Sequence, residues 1–254
     1  MKFLKVFLPV VCSLIFGINA NAQVKMRPLN ELINATDPGW PFVQQLIDSA
    51  KNPVEVLSPD LAKIEEALYH TQVTTRAPLG AVVYATGGIL VDGGWIRILG
   101  SGNPKLNRSV PDWNKGKTFK DFGDKANFLL VADDAVGGFF ALNGGQFGKD
   151  IGNTYYLSPD RLVWEPLEFS YTRFLEFCFS GDLDEFYGKL RWTNWRKDLV
   201  KLNGNSVFNF RPFLWSKEGK DINKSKKKRI PVAEQFEFNM NSRKQLGLEK
   251  TNVQ

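Results

Sequence analysis

The apolar positions of this chain change rhythm twice, and each change predicts a different kind of element. Phe42, Val43, Leu46, Ile47 and Ala50 recur at helical spacing and predict an amphipathic helix that stops at Asn52-Pro53. A second helix is expected from Ser58-Pro59, with serine as cap and proline in the first turn, and with Leu61, Ile64 and Leu68 as its stripe. From Leu79 the texture becomes strand-like through Val82, Val83, Ile89, Leu90 and Val91. Asp92-Gly93 followed by the alternating Trp95-Ile96-Arg97-Ile98-Leu99 is a strong hairpin signal. A polar loop is expected over 103–121, with Trp113 inside it. Short strands then follow over 127–132, 139–142, 155–157 and 162–164.

Helices return at Ser170. Phe174, Leu175, Phe177, Cys178 and Phe179 form a nearly continuous apolar patch, and Gly181 ends it. Residues 182–187 place acids in a first helical turn, which suits the helix dipole, and 195–202 read as a further helix. Residues 207–215 alternate as a strand in which Pro212 marks an edge. Residues 239–254 are polar and read as a disordered tail. Helices, then antiparallel hairpins, then helices predict the α+β class. The expected architecture is an antiparallel β-sheet with helices at both sequence ends, in a single domain over 23–238.

The first 22 residues have the texture of an export signal. Lys2 and Lys5 precede an apolar run over 6–16, and Ala20-Asn21-Ala22 is a cleavage site, so the mature chain is expected to begin at Gln23. The run is shorter than the ~20 residues a membrane-spanning helix needs, so cleavage is expected rather than an integral membrane anchor. Val11 is not the small residue a lipid-anchored Cys12 would require. The expected location is therefore periplasmic or secreted. Of the two cysteines only Cys178 survives cleavage, which excludes an intramolecular disulfide and leaves a buried, inert thiol as its expected state. Seven Trp and twenty Phe in the full chain, three of the Phe in the leader, leave ample core material for the remaining 232 residues.

Charge changes the picture locally. Of the net +6, two units sit in the leader. Residues 217–229 hold seven cations against Glu218 and Asp221, which leaves the rest of the mature chain close to neutral. The basic patch Lys224, Lys226, Lys227, Lys228 and Arg229 is expected in a solvated loop; its other reading is contact with an anionic envelope surface or an acidic partner. It has no interleaved aromatic residue, and specific nucleic-acid binding is not expected.

No catalytic motif stands out. His70 is the one histidine and falls at a helix end. The counts of His and Cys exclude the common zinc sites, and no metal or cofactor is expected. The glycine pairs lack phosphate-loop or dinucleotide spacing and read as turns. Asp133 and Asp134 are neighbours, which on a strand point to opposite faces, or in a turn could both cap or hold a cation. Trp95 and Arg97 share one strand face opposite Ile96 and Ile98. They would form a binding patch, or Arg97 would lie over the indole beneath a helix.

Asp37-Pro38-Gly39-Trp40-Pro41, the block Gly87-Gly88-Ile89-Leu90-Val91-Asp92-Gly93-Gly94-Trp95-Ile96-Arg97-Ile98-Leu99-Gly100-Ser101-Gly102, and Pro212-Phe213-Leu214-Trp215 resemble the bacterial DUF2625 family, a domain of unknown function, over about 29–238. A second likeness, from Phe128 to Phe177, is similar to the SUKH superfamily of α+β proteins. Many of those bind and neutralise toxins, which implies an immunity-like role here with a toxin-like protein as partner. On that basis the leading expectation is a non-enzymatic, exported binding protein whose exposed face carries Asp92, Trp95, Arg97, Asp133 and Asp134. The alternatives are an envelope hydrolase using Asp133, Asp134 and Arg97, and a structural envelope component without a discrete site.

Overall fold

The computed structural model describes residues 25–250; the expected leader lies outside them. Helices come first: α1 (Leu29–Leu32) and α2 (Trp40–Asp48). After β1 (Val54–Leu57) follow α3 (Ile64–Thr71) and α4 (Pro78–Ala85). The hairpin β2 (Gly88–Val91) and β3 (Ile96–Leu99) leads through α5 (Val110–Asn114) to β4 (Phe128–Asp134), β5 (Phe139–Asn143), β6 (Asn153–Leu157) and β7 (Trp164–Ser170). These seven strands form one antiparallel sheet in sequence order, β1 to β7. Then come α6 (Tyr171–Ser180), α7 (Leu183–Tyr187) and α8 (Trp195–Leu199). A separate ribbon of β8 (Ser206–Arg211) and β9 (Lys226–Pro231) follows, and α9 (Val232–Gln245) closes the order. The α+β class, the antiparallel sheet and the single domain are as the sequence predicts.

Several local readings change. Val82 and Val83 lie in α4, not in a strand. Pro78 starts that helix, and Gly80 packs so close to Thr74 that an added Cβ would stand 2.1 Å from its carbonyl oxygen. Burial against neighbouring elements overrides the β preference of valine. Leu61 is 83% exposed, because α3 begins only at Ile64. The Asp92-Gly93 hairpin is present, but its turn takes four residues, and Trp95 sits in the turn rather than on β3. Asp92 (φ 50°) and Gly93 (φ 70°) both adopt the left-handed conformation that such a turn demands. Leu162 follows a turn, with its amide donating to the Ser158 carbonyl at 2.9 Å, and β7 begins at Trp164.

Two elements missed in the sequence pack against one face of the sheet. The loop expected over 103–121 contains α5, which Ser109 caps by accepting from the Asp112 amide at 3.2 Å. The expected tail is helical to Gln245. Helix α9 buries Gln235, Asn239 and Arg243 at helical spacing. Their side chains are satisfied inside: Asn209 donates to Gln235 at 2.8 Å, Gln235 to Asn239 at 2.7 Å, and Asn239 to the Gly137 carbonyl at 2.9 Å. Phe236 of α9 meets Phe139 of β5 and Trp113 of α5 edge to face. On the opposite face, Phe140 and Tyr156 stack on each other and pack against Phe174 of α6 and Phe186 and Tyr187 of α7. The core therefore lies on both faces of the sheet.

Candidate functional site

The residues expected on an exposed face are interior. Trp95, Asp133 and Asp134 are fully buried, Arg97 is 1% exposed and Asp92 9%. The correction has plain causes: α5 and α9 lie over the face that holds Arg97 and Asp133, Tyr187 of α7 meets Asp134 on the opposite face, and Trp192, Trp195 and Arg191 enclose Trp95 and Asp92. Arg97 does not lie over the indole either. Its Nε donates to Asp133 Oδ1 at 2.6 Å across the β3–β4 register, and Arg108 donates to the other oxygen of the same carboxylate. One acid thus serves two guanidiniums. Burial pushes the Arg108 pKa below its ordinary value, and Asp133 opposes that shift.

Asp134 serves a different set. Its Oδ1 accepts from the amides of Val136 (3.1 Å) and Gly138 (2.8 Å), and its Oδ2 from the hydroxyls of Tyr156 (2.7 Å) and Tyr187 (3.2 Å). Burial raises the carboxyl pKa, with the Tyr156 and Gly138 donors pulling the other way. Gly138 is required here, since a Cβ would stand 2.4 Å from both Asp134 Oδ2 and the Tyr156 oxygen. The two aspartates face separate partners and do not converge on a common bond. Asp92 receives Arg191 at 2.5 Å. That guanidinium lies over Trp195 (4.2 Å) and Trp95 (4.9 Å) and also binds Asp184. The whole constellation belongs to the interior of the fold, its charges paired and its rings packed, while the buried Trp95 Nε1, Arg108 Nε and Arg191 Nε find no hydrogen-bond partner.

The open concavity lies elsewhere. A hollow of about 670 Å³ opens between α3, α5, the first described residues and the loop before β4. Its wall is mainly apolar, with Met26, Val110, Pro111, Phe119, Ala126 and Leu129. Lys25, Arg27, Asp124 and Lys125 add charge to the lining. Gln72 fixes one wall: its Oε1 accepts from the Arg27 amide at 2.7 Å, and its Nε2 donates to the Arg27 carbonyl at 3.1 Å. His70 stands in the last turn of α3, at the helix end where the sequence put it. Its ring stacks on Phe122 at 3.7 Å, and its Nδ1 lies 4.0 Å from Glu66. His70 and Pro111 also line a smaller, more polar hollow of about 220 Å³ that reaches Asp60, Lys63 and Asp112. Size and lining match those of ligand and anchor-residue pockets.

Of the hollow's residues, sequence reasoning singled out only His70. The others come from four separated segments, and no spacing marks them. The available signal was Trp113, Pro111 and Phe119 inside a stretch taken for a polar loop. The basic patch is also relocated. Lys226, Lys227, Lys228 and Arg229 form most of β9 rather than a loop, and Lys224 closes a short 3-10 turn. Cys178 is a free, fully buried thiol, and burial raises its pKa well above the ordinary value. Among the described residues no group of three or more His, Cys, Asp or Glu could hold a metal ion. Nor is any described helix long and apolar enough to cross a membrane.

Comparison with known proteins gives family but no activity. The family described as Protein of unknown function DUF2625 matches residues 29–235. An uncharacterised protein of Haemophilus influenzae Rd is 42% identical over 227 residues, covering 89% of this chain and 96% of the relative. The uncharacterised YbfG of Escherichia coli K12 is 47% identical over 190 residues, covering 75% of this chain and 86% of the relative. No solved structure matches significantly.

Proposed function

This chain belongs to the DUF2625 family, and from that premise we propose that it is an exported, non-enzymatic binding protein of immunity-like character that seats a protein partner in the hollow beside His70. The observation that carries this reading is the hollow itself: an apolar floor with charges of both signs around it, open to solvent, and large enough for an anchoring aromatic side chain. The hydrolase alternative loses its residues, because Asp133, Asp134 and Arg97 are sealed in the interior. A purely structural role does not call for an open apolar hollow. Export rests on the charged, apolar and cleavable segments of residues 1–22.

The test is site-directed photocrosslinking in the native host, with the photoreactive residue at Ala126 inside the hollow and, as control, at Glu176 of α6. A discrete protein adduct from position 126 alone, lost when Leu129→Trp fills the hollow, is the expected result. Equal adducts at both positions, or a small molecule retained in the hollow by native mass spectrometry in place of a protein, would refute it.

A further inference from the structure

The β8–β9 ribbon holds cations that the rest of the molecule does not neutralise. Lys227 is paired with Asp198 at 3.2 Å, and Arg229 donates to the Lys201 carbonyl at 2.6 Å. Lys226 and Lys228 alternate with them on the strand, are exposed, and make no side-chain hydrogen bond or ion pair among the described residues. Arg211 of β8 stands directly opposite Lys226. Like charges in that relation oppose sheet formation, so this fold keeps a local repulsion. The connection between the strands adds the exposed, unpaired Lys217 and Lys220 at the same end, while Lys224 is paired with Asp221 at 3.2 Å. Lysines on an edge strand commonly block unwanted strand pairing. That explains β9 alone. It does not explain an arginine across from Lys226 or two more lysines in the connection.

We propose that this end of the ribbon docks on an anionic phospholipid surface. Four of the five free cations are lysines, compact charges on flexible stems. They suit a diffuse negative surface better than shaped carboxylate recognition, for which arginine is preferred and lysine is depleted. The adjoining rings are half-buried and already engaged. Phe213 and Trp215 stack at 5.0 Å, Phe238 lies 4.8 Å from Phe213, and the Arg211 guanidinium covers Phe213 at 3.8 Å. Nucleic-acid bases would need free ring faces to stack on. With those faces occupied, this end of the ribbon presents charge without a stacking platform, which suits lipid headgroups.

The experiment is vesicle co-sedimentation of residues 23–254, which contain every described element, at 0.15 M salt. Vesicles of phosphatidylcholine with 30% phosphatidylserine are compared with phosphatidylcholine alone. Binding to the anionic vesicles only is expected. Lys226→Gln with Lys228→Gln should weaken it about thirty-fold, close to five-fold per lysine. Exposed Lys149→Gln with Lys189→Gln, away from the ribbon, should leave it nearly unchanged, and circular dichroism should report the same fold for all forms. Equal binding to neutral vesicles, equal loss in both double variants, or tighter binding to single-stranded DNA or polyglutamate than to the anionic vesicles would overturn the proposal.

Discussion

Replacing Asp133 by Asn should strongly destabilise this protein without touching its surface. The carboxylate is fully buried and is shared by Arg97 and Arg108, themselves 1% and 8% exposed. The amide keeps the volume but removes the negative charge and leaves two guanidiniums facing each other in the interior. Breaking one buried ion pair costs about 3–5 kcal/mol, and a doubly used acid belongs at the upper end, so about 4 kcal/mol or more is expected. Total stabilities run to about 5–15 kcal/mol, so this is a large fraction. For a chain of this size it corresponds to a Tm lower by roughly 8–16 °C. Urea unfolding followed by tryptophan fluorescence measures it. The matching apolar set, Asp133→Leu with Arg97→Met and Arg108→Met, should recover most of the loss, because packed hydrophobic replacements of buried ions are often neutral. A loss under about 1 kcal/mol for the single variant, or a triple variant as unstable as the single one, would refute the reasoning.

The Asp134 carboxyl has a raised pKa, so its share of stability is present in acid and declines as pH rises through the folded value. Asp134→Asn, whose amide can still accept from Val136 and Gly138, should therefore equal or exceed the parent at pH 8 and lose that advantage below pH 4 in paired urea titrations. Burial raises the phenol of Tyr155 to about 12, Asp150 adding to the effect, and raises Tyr156 and Tyr187 well above their ordinary values. Above about pH 10 the unfolded chain ionises these phenols and the folded one does not, so stability should fall by up to about 1.4 kcal/mol per pH unit for each tyrosine. A flat stability between pH 10 and 11.5 would contradict this. In residues 23–254, Cys178 should be inert to a thiol reagent in buffer and release one full equivalent in denaturant. Rapid native labelling would show that the α6 interior opens.

The sheet was legible because strand alternation and turn chemistry are local. Asp92-Gly93 marked the first hairpin, and Ser170 and Asp182 marked helix starts that they do cap, by accepting from the Arg173 and Glu185 amides. What was not legible lies where tertiary contact overrides local pattern. Helix α4 is valine-rich and still helical, because proline starts it and burial on both sides fixes it. Helix α9 escaped because its buried stripe is polar: Gln235, Asn239 and Arg243 repay burial through hydrogen bonds, which an apolar periodicity does not register.

That omission is also why the site was misplaced. An alternating strand such as β3 announces a wet face only if nothing covers it, and the charged residues Arg97, Asp133 and Asp134 then read as a surface constellation. Once α5 and α9 close over Arg97 and Asp133, and α7 over Asp134, these residues can persist only as paired or hydrogen-bonded groups, and their types become a statement about folding. The hollow beside His70 reverses this logic. Its walls come from segments whose sequences carry no shared rhythm, and of its apolar residues Met26, Phe119, Ala126 and Leu129 keep part of their surface open to solvent while Val110 and Pro111 are buried. In this chain, chemically expressive residues mark the interior, and the available surface is built from ordinary ones. Perturbations that test function therefore belong at Ala126, Leu129, Lys226 and Lys228, while substitutions at Asp133 or Arg97 report on stability before anything else.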